Sequence, residues 1–254
     1  MCNQLFVSVA DRMDPLQFAY KARRGVEDAC LILVNLIASH LDKSGSYVRV
    51  MFMDFSSAFN TIQPHLLIKR LLDVGASHTL VLWIKQFLCD RPQRVSLSGT
   101  RSDHLIVNTG APQGSVLSPI LFSVYTNEVV STNALLTLVK FADDMALVAR
   151  LQDENSLAEY FLQLDLLKSW FKESFLDLNI SKTKELVFDS RKEKEPFIPV
   201  TIDQQSVEVV SSFKYLGTVV DSKLSFNDNV VYVYKKAQQR LYLLRKLRSR
   251  QPCP

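Results

Sequence analysis

Val139-Lys-Phe-Ala-Asp-Asp-Met-Ala-Leu-Val-Ala149 is the stretch around which the rest of the chain is organised. Two adjacent carboxylates, Asp143 and Asp144, separate two apolar runs, residues 136–139 and 145–149. Apolar runs of this length with a short polar break are typical of two buried strands joined by a tight turn. Like charges at the edge of a core are costly unless a divalent cation neutralises them, and Mg²⁺ or Mn²⁺ suits carboxylate oxygens. A solvated surface turn explains the pair equally well, so the metal-site interpretation needs a third carboxylate.

The composition is that of a globular protein. Hydrophobic residues make up 47% and charged residues 22% of 254 residues, enough for one large domain or two small ones. The net charge of +4 is compatible with a nucleic-acid partner but does not indicate one. The four Cys and four His lack zinc-ligand spacing, and no apolar run approaches the roughly 18 residues of a membrane helix. We therefore expect an intracellular protein that has neither a membrane-spanning segment nor disulfide bonds. No targeting signal in the sequence assigns it to the nucleus or to the cytoplasm.

The periodicity of the chain predicts interleaved helices and strands, which is an α+β or α/β arrangement. The predicted helices cover residues 28–41, 64–72, 80–88, 120–130 and 156–175, with a basic helix over the last 25 residues. The predicted strands cover residues 47–53, 185–189, 198–210 and 213–220, with a hairpin formed by residues 94–99 and 104–108. Residues 191–195 are interpreted as a solvated charged loop.

Asp54 supplies the third carboxylate. It ends the predicted strand 47–53, and the carboxyl end of a buried strand is a common place for functional groups. If one sheet brings Asp54 close to Asp143 and Asp144, three carboxylates around two Mg²⁺ ions suit phosphoryl or nucleotidyl transfer. Basic residues are available for triphosphate oxygens, although each of them taken alone is better explained as a solvated surface residue. These are Lys21, Arg23, Arg24 and Lys182.

Six stretches together resemble the reverse transcriptase domain of non-LTR (LINE-type) retrotransposons. They are Gln17-Phe-Ala-Tyr-Lys-Ala-Arg-Arg-Gly-Val-Glu-Asp-Ala29, Met53-Asp-Phe-Ser-Ser-Ala-Phe-Asn-Thr-Ile62, residues 110–119, Lys140-Phe-Ala-Asp-Asp144, Leu178-Asn-Ile-Ser-Lys-Thr-Lys184 and Phe213-Lys-Tyr-Leu-Gly217. The stretches follow the order and spacing of the family and run over nearly the whole chain.

The resemblance implies an α+β right-hand polymerase fold, in which an antiparallel palm sheet packs on helices. Fingers and palm would cover residues 1–228, with the palm at about 46–62 and 108–222. The basic helix over residues 229–254 would begin an incomplete thumb. The family's upstream finger motifs and endonuclease domain have no counterpart here, so the chain resembles a truncated copy of a longer polyprotein.

The resemblance also implies roles for individual residues. Asp54, Asp143 and Asp144 match the metal-binding carboxylates, with the backbone carbonyl of Phe55 as a further ligand. Phe59 matches the bulky residue that crowds the sugar 2′ position and so favours dNTPs. Residues that match the nucleotide-binding segments are Gln113 and Gly114 in one loop and Lys21, Arg23 and Arg24 in the fingers.

Two further groups take their roles from the same resemblance. Lys182 matches the lysine that protonates the leaving pyrophosphate, with Lys184 as the alternative if the register differs. The segment that grips the primer end is matched by Phe213, Tyr215, Leu216 and Gly217. The basic helix would follow the primer–template backbone through phosphate contacts, with Lys235, Lys236 and Arg240 among its basic residues.

The leading hypothesis is therefore an RNA-directed DNA polymerase that uses two Mg²⁺ or Mn²⁺ ions, dNTPs, an RNA template and a DNA primer. The alternative is a remnant that retains the fold and binds nucleic acid without polymerising. Competent residues at every matched catalytic position favour the first, and the missing segments favour the second. A phosphohydrolase with the same carboxylates explains neither Phe59 nor the Gln113 loop.

Overall fold

The computed structural model describes residues 2–131, 133–191 and 197–249. The helices are α1 (Cys2–Val9), α2 (Val26–Leu41), α3 (Ala58–Thr61), α4 (Pro64–Asp73), α5 (His78–Leu88), α6 (Ser118–Tyr125), α7 (Glu154–Glu173) and α8 (Asn227–Ser249), with a 3-10 turn at Ala10–Arg12. The strands are β1 (Tyr47–Met53), β2 (Arg91–Gln93), β3 (Ser96–Leu97), β4 (Thr100–Arg101), β5 (Leu105–Val107), β6 (Leu136–Phe141), β7 (Asp144–Leu151), β8 (Lys184–Phe188), β9 (Thr201–Ile202), β10 (Gln205–Ser206), β11 (Glu208–Val210), β12 (Ser212–Tyr215) and β13 (Thr218–Asp221).

A five-stranded sheet in the order β11-β8-β1-β7-β6 forms the centre of the fold. Its neighbours run antiparallel except for β11, which pairs parallel with β8. Every residue of β1 is buried, because helices and a hairpin cover both faces of the sheet. Met51 and Met53 face the core formed with α4–α7, while Val50 and Phe52 face α2 and the β12–β13 hairpin. The predicted α+β class with a sheet packed on helices is confirmed, with the parallel β8–β11 pair as an addition.

A buried ion pair and a tyrosine hydroxyl join β1, β8 and α7. Arg49 of β1 donates from Nε to Glu185 Oε1 of β8 at 2.7 Å, and the Tyr160 hydroxyl of α7 donates to the same oxygen at 2.6 Å. Both charged side chains are fully buried. Breaking such a pair leaves one charge uncompensated and costs about 3–5 kcal/mol. The pair therefore fixes the relative position of β1 and β8, whose ends lead toward Asp54 and Lys182.

The segment before α2 extends the sheet beyond β6. Gln17 forms a parallel bridge with Lys140, through Phe18 N donating to Lys140 O and Lys140 N donating to Leu16 O, each at 2.9 Å. The Lys140 side chain is fully buried and pairs with Asp14 Oδ2 at 2.6 Å. An N-terminal strap, residues 14–19, thus holds the edge strand of the sheet.

The predicted helix over 120–130 is wrong at both ends, because α6 runs from Ser118 to Tyr125. The buried Lys140 Nζ donates to the carbonyls of Thr126 at 3.0 Å and Val129 at 2.7 Å. These carbonyls would otherwise need helical partners further along the chain. The Lys140 side chain of β6 therefore provides hydrogen bonds to the carbonyls that follow α6. The sequence pattern does not indicate this contact.

The predicted hairpin of residues 94–99 with 104–108 has the wrong pairing. β5 pairs with β2, so Arg91 faces Val107, whereas β3 and β4 form an inner hairpin. The inner turn consists of Ser98 and Gly99, which both have positive φ, at 48° and 85°. Such a two-residue turn fixes Leu97 opposite Thr100 and sets the register for the outer pair.

Two predicted strands are hairpins or shorter pieces. Residues 198–210 contain β9, β10 and β11, because Asp203 and Gln204 adopt positive φ of 47° and 65° and turn the chain back. Residues 213–220 contain a turn at Leu216 and Gly217, with φ of 47° and 92°. The charged loop 191–195 lies mostly outside the described residues. The predicted strands 47–53 and 185–189 and the helices 28–41, 64–72, 80–88 and 156–175 are confirmed, with small shifts at their ends.

Helix α8 leaves the body of the protein and contacts it chiefly through β13. Its side chains between Val233 and Arg248 are exposed, including large apolar groups such as Leu241 and Leu244. The described residues contain no helix with the length and apolarity that spanning a membrane requires.

Candidate active site

Strand register brings Asp54 and Asp144 together. The last residue pair between β1 and β7 is Met53 with Met145, so the next residues on the two strands are Asp54 and Asp144. Side chains alternate along a strand, so Asp54 lies on the same face as Phe52, and Asp144 on the same face as Ala146. Both faces belong to the core under α2, and the two carboxylates lie just beyond its edge.

Asp143 lies in the turn between β6 and β7. Phe141 pairs with Asp144, which leaves Ala142 and Asp143 as a two-residue turn. Ala142 has a φ of 56°, a left-handed conformation that costs an L-residue about 1–2 kcal/mol. Its N–H donates to the Oε1 of Gln17 at 3.0 Å. The turn that carries Asp143 is thus strained and is held from outside the hairpin.

Residues 177–183 hold the chain on both sides of Phe55. Asn179 N donates to Asp54 O at 2.8 Å and Ser56 N donates to Asp177 O at 2.9 Å, which forms a bridge between Phe55 and Leu178. In this bridge pattern the N–H and C=O of Phe55 point away from Leu178. The Phe55 carbonyl is therefore directed toward the side of β1 on which β7 lies.

One oxygen of the Asp54 carboxylate lacks a hydrogen bond from any described residue, although a lysine ammonium lies near it. Oδ2 is buried and accepts no hydrogen bond within the part of the chain that the structure describes. Its nearest positive charge is Lys182 Nζ at 3.4 Å, an ion pair whose lysine is largely exposed. Lys184 instead donates to Ser181 O at 2.5 Å and to Glu208 Oε2 at 2.8 Å. Both lysines line the cleft that contains Asp54 and Asp144, and Lys182 is the one that forms an ion pair with Asp54.

Mutual repulsion is visible in the electrostatics of the carboxylates. Burial raises the pKa of Asp144 to about 6, with further contributions from the negative charges of Asp143 and Asp54. Each of these effects disfavours the ionised form. A cation placed among the three groups would reverse this effect.

The residues present fit a divalent metal ion. Asp54 offers a buried oxygen without a hydrogen bond, and the negative charges of Asp143 and Asp54 act on Asp144. The described residues contain no three Asp, Glu, His or Cys side chains close enough to enclose an ion by themselves. An open set of this kind suits Mg²⁺, which keeps several waters and takes its other ligands from substrate phosphates.

Phe59 lies on α3, five residues after Asp54. Its ring is half-buried and packs against Phe122 with a centroid distance of 4.9 Å. The carbonyls of Phe59 and Ile62 accept from Ala111 N at 2.8 Å and Gly110 N at 2.7 Å. A Cβ at Gly110 would lie 2.8 Å from the backbone of Asn60, so this close approach requires glycine.

Gln113 is tied to the same helix. Its Nε2 donates to Asn60 Oδ1 at 3.0 Å. Gly114 follows with a φ of 80°, which turns the loop toward α6. An open groove of about 890 Å³ lies beside this loop, lined among others by Asn60, Arg91 and Gln113. The Gln113 loop and helix α3, which carries Phe59, therefore form one wall.

The basic residues of the strap region are held by backbone carbonyls. Lys21 Nζ donates to Asp14 O at 2.6 Å, and burial with the nearby Arg24 lowers its pKa. The Arg24 guanidinium donates to Pro15 O at 2.5 Å and lies 5.1 Å from the centroid of the Phe18 ring. Arg23 is exposed and has a φ of 61°.

The β12–β13 hairpin borders the cleft that contains the carboxylates. A cleft of about 400 Å³ is lined by Asp54, Asp144 and Lys182 together with Phe213 and Tyr215. The Phe213 ring stacks on Phe52 at a centroid distance of 4.2 Å. Leu216 and Gly217 form the tip of this hairpin. Lys235, Lys236 and Arg240 lie on the exposed helix α8, which follows the hairpin.

Sequence reasoning missed three residues that support the site. Gln17 holds the Ala142 turn, Asn60 holds Gln113, and Thr183 Oγ1 accepts from Asp54 N at 3.5 Å. All three lie inside stretches that carry the family resemblance, and that position is the signal that could have found them. Their partners are distant in sequence and mostly backbone groups, which no spacing reveals.

Comparison with known families gives one match over most of the chain. The family model described as "Reverse transcriptase (RNA-dependent DNA polymerase)" matches residues 1–220. A second model, described as "Alkylated DNA repair protein alkB homolog 8, N-terminal", matches only residues 227–253, mostly helix α8, and shows no membership.

Curated relatives include two Drosophila retroelement proteins. The "RNA-directed DNA polymerase from mobile element jockey" of Drosophila funebris is 27% identical, over 94% of this chain and 27% of the relative. The "Probable RNA-directed DNA polymerase from transposon BS" of Drosophila melanogaster is 28% identical, over 92% of this chain and 26% of the relative. The chain thus spans about a quarter of the length of these relatives.

Among solved structures, telomerases share the fold. Apo telomerase of Candida tropicalis, truncated from its C-terminal domain, aligns with a TM-score of 0.59 at 12% identity, covering 89% of this chain and 44% of that one. Telomerase of Candida albicans, solved with a fragment of telomeric RNA, also gives 0.59, at 15% identity, covering 88% of this chain and 38% of that one. This likeness shows the right-hand polymerase fold. The match over residues 1–220 shows that the chain belongs to the reverse transcriptase (RNA-dependent DNA polymerase) family, as the resemblance to non-LTR elements predicts.

Proposed function

We propose that this chain catalyses RNA-templated DNA synthesis, adding dNTPs to a primer 3′-hydroxyl for a non-LTR retrotransposon. The observation that carries the proposal is the register of β1 and β7, which brings Asp54 beside Asp144 next to the Asp143 turn. The names of the curated relatives support the template and product classes, since jockey and BS are described as RNA-directed DNA polymerases.

Asp54, Asp143, Asp144 and the Phe55 carbonyl are the groups that would hold two Mg²⁺ or Mn²⁺ ions. When bound, such ions would supply activation of the primer hydroxyl and charge neutralisation for the leaving pyrophosphate. The carboxylates fix the orientation of the reacting groups. The raised pKa of Asp144 is consistent with a site built to receive positive charge.

Lys182 is the proposed general acid for the leaving pyrophosphate. Its Nζ lies 3.4 Å from Asp54, at the mouth of the cleft, and its side chain is free to follow the leaving group because it is exposed. The developing phosphate charge raises the proton affinity of the phosphate, so a lysine ammonium can transfer its proton.

Selection of the nucleotide is assigned to the wall formed by Phe59 and the Gln113 loop. A 2′-hydroxyl against the Phe59 ring would lose both space and hydrogen bonds, which disfavours rNTPs. Gln113 and Gly114 would contact the nucleotide and template. Lys21, Arg23 and Arg24 would contact the triphosphate; Lys21 and Arg24 would exchange their backbone carbonyls for phosphate oxygens, which bind cations more strongly.

The primer end is assigned to the β12–β13 hairpin, with Phe213, Tyr215, Leu216 and Gly217, which borders the cleft. Lys235, Lys236 and Arg240 of α8 would contact phosphates of the primer–template hybrid. We assign the palm to residues 46–62 and 108–222, the remaining part of 1–228 to the fingers, and the helix from residue 229 to the beginning of the thumb.

The test is primer extension on an RNA template with dNTPs and Mg²⁺ or Mn²⁺. The wild-type chain should incorporate nucleotide, and Asp143→Asn should lose incorporation while still binding the hybrid. If neither protein extends the primer but both bind it, the chain is a nucleic-acid-binding remnant and the polymerase proposal fails.

A further inference from the structure

Gln17 is a buried polar residue in contact with the strained turn that carries Asp143. Its side chain is 1% exposed. Its Oε1 accepts from the Ala142 N–H at 3.0 Å and from the Ala19 N–H at 3.1 Å. Two backbone donors therefore converge on one amide oxygen inside the core.

The two donors also fix the orientation of the Gln17 amide. Nε2 is buried and has no hydrogen-bond partner within the part of the chain that the structure describes. Turning the amide over would set the NH₂ group against two N–H donors, which is worse than one unpaired donor. The Oε1 atom is thus the part of the Gln17 amide that forms the hydrogen bonds.

The backbone of Gln17 is itself held in place. It bridges Lys140 two residues before Ala142, and Lys140 is anchored by its buried ion pair with Asp14. Ala142 meanwhile needs an external partner, because its φ of 56° is unfavourable for an L-residue and its N–H points out of the hairpin. The strap therefore presents a fixed acceptor to the one residue of the turn that is strained.

We infer that Gln17 is a positioning residue that holds the Ala142–Asp143 turn and thereby sets the affinity of the carboxylates for divalent metal. This inference rests on the proposed function, because it concerns the same metal site. Loss of the Oε1 acceptor releases the turn, so that Asp143 samples positions away from Asp54 and Asp144. Outer groups that orient metal ligands are typically worth about 10–100-fold in metal affinity.

The experiment compares the full chain with Gln17→Met, which has a similar shape without the acceptor, and with Gln17→Glu, which keeps an oxygen at Oε1. Mn²⁺ binding is measured by electron paramagnetic resonance, and the Mg²⁺ dependence of primer extension is measured beside it. Gln17→Met should raise the Mn²⁺ dissociation constant about tenfold and shift the half-maximal Mg²⁺ concentration in parallel. Gln17→Glu should lie closer to wild type than Gln17→Met does.

Ser46→Ala is the matched control for lost stability. Ser46 is buried at the far end of β1 and donates to the carbonyls of His40 and Lys43. It should lower the melting temperature without changing Mn²⁺ affinity. Unchanged Mn²⁺ binding in Gln17→Met, or equal losses in Gln17→Met and Gln17→Glu, overturns the inference. Absence of Mn²⁺ binding and of primer extension in the wild type instead contradicts the proposed function.

Discussion

Asp54 and Asp144 occupy the first positions beyond the last pair of two antiparallel strands, Met53 with Met145. The two carboxylates therefore face each other because of the register alone. A slip of one residue would send one of them to the opposite face of the sheet, into the core under α4–α7. The buried Arg49–Glu185 pair fixes β1 on its other side, against β8.

The raised pKa of Asp144 predicts a pH-dependent stability of the metal-free protein. The pKa is about 6 in the folded protein against an ordinary value of 3.8. The folded state therefore binds this proton more tightly than the unfolded chain does. Ionisation of Asp144 thus lowers the free energy of unfolding. This destabilising contribution is complete above about pH 6 and absent below about pH 4. In EDTA at pH 8, Asp144→Asn should melt roughly 2–4 °C above wild type.

This difference in melting temperature should shrink as the pH falls from 6 to 4. Circular dichroism melts of wild type and Asp144→Asn at pH 8 and at pH 4 provide the measurement. Asp165→Asn is the control, because Asp165 is an exposed residue of α7 that pairs with Lys168 at 3.4 Å. A stabilisation of Asp144→Asn that is equal at pH 8 and pH 4 would show that ionisation of Asp144, disfavoured by burial and by its two carboxylate neighbours, is not its cause.

Substitution of Phe59 should weaken discrimination between sugars. Phe59→Ala opens the space that the 2′-hydroxyl of an rNTP would need, so the ratio of kcat/KM for rNTP to that for dNTP should rise roughly 10–100-fold, about 1.4–2.8 kcal/mol. Single-nucleotide incorporation with paired dNTP and rNTP substrates measures this ratio. Phe161→Ala, a partly buried aromatic of α7, serves as the control. An unchanged ratio in Phe59→Ala would remove Phe59 from the nucleotide site.

The two lysines near the carboxylates should differ in their effect on chemistry. Lys182→Ala removes the proposed proton donor, so kcat should fall roughly 100-fold while KM for dNTP changes little. Lys184 already pairs with Glu208 at 2.8 Å, and Lys184→Ala should leave kcat within about threefold of wild type. Single-turnover incorporation compares the two. Equal losses in both variants would argue against a specific role for Lys182.

Helix α8 should contribute to hybrid binding without reading sequence. Changing Lys235, Lys236 and Arg240 to Gln removes three phosphate contacts, so the slope of log affinity against log salt should fall by about 2–3. Fluorescence anisotropy at several salt concentrations measures the slope. The same change in charge at the exposed Lys43, Lys69 and Lys85 should leave the slope nearly unchanged. Identical slopes for both triple variants would exclude a specific role for α8.

Much of the fold follows from local pattern, and its failures have specific causes. The strand Tyr47–Met53 and the Asp143–Asp144 hairpin are predicted because continuous apolar runs are buried on both sides. Helix α6 ends early because Lys140, fully buried and distant in sequence, takes the carbonyls that follow it. The turn at Asp203 and Gln204 has positive φ without a glycine, so the strand pattern of residues 198–210 gave no warning.

The candidate site divides in a similar way. The side chains proposed to act on metal and nucleotide, such as Asp54, Phe59 and Gln113, lie in stretches that the family resemblance marks. Gln17 and Thr183 act on backbone amides of other elements, and only the folded chain brings those groups together. Sequence therefore indicates the reacting groups and leaves their supports to the structure.

The most direct test of the three-carboxylate site is the rate of a single dNTP addition to a primer on an RNA template. Asp54→Asn and Asp144→Asn should each reduce this rate by at least roughly 1,000-fold, because each removes one of the charges that hold the metal ions. Hybrid affinity should stay within about threefold of wild type, and Asp165→Asn should react at the wild-type rate. Wild-type addition by either Asp54→Asn or Asp144→Asn would contradict the account.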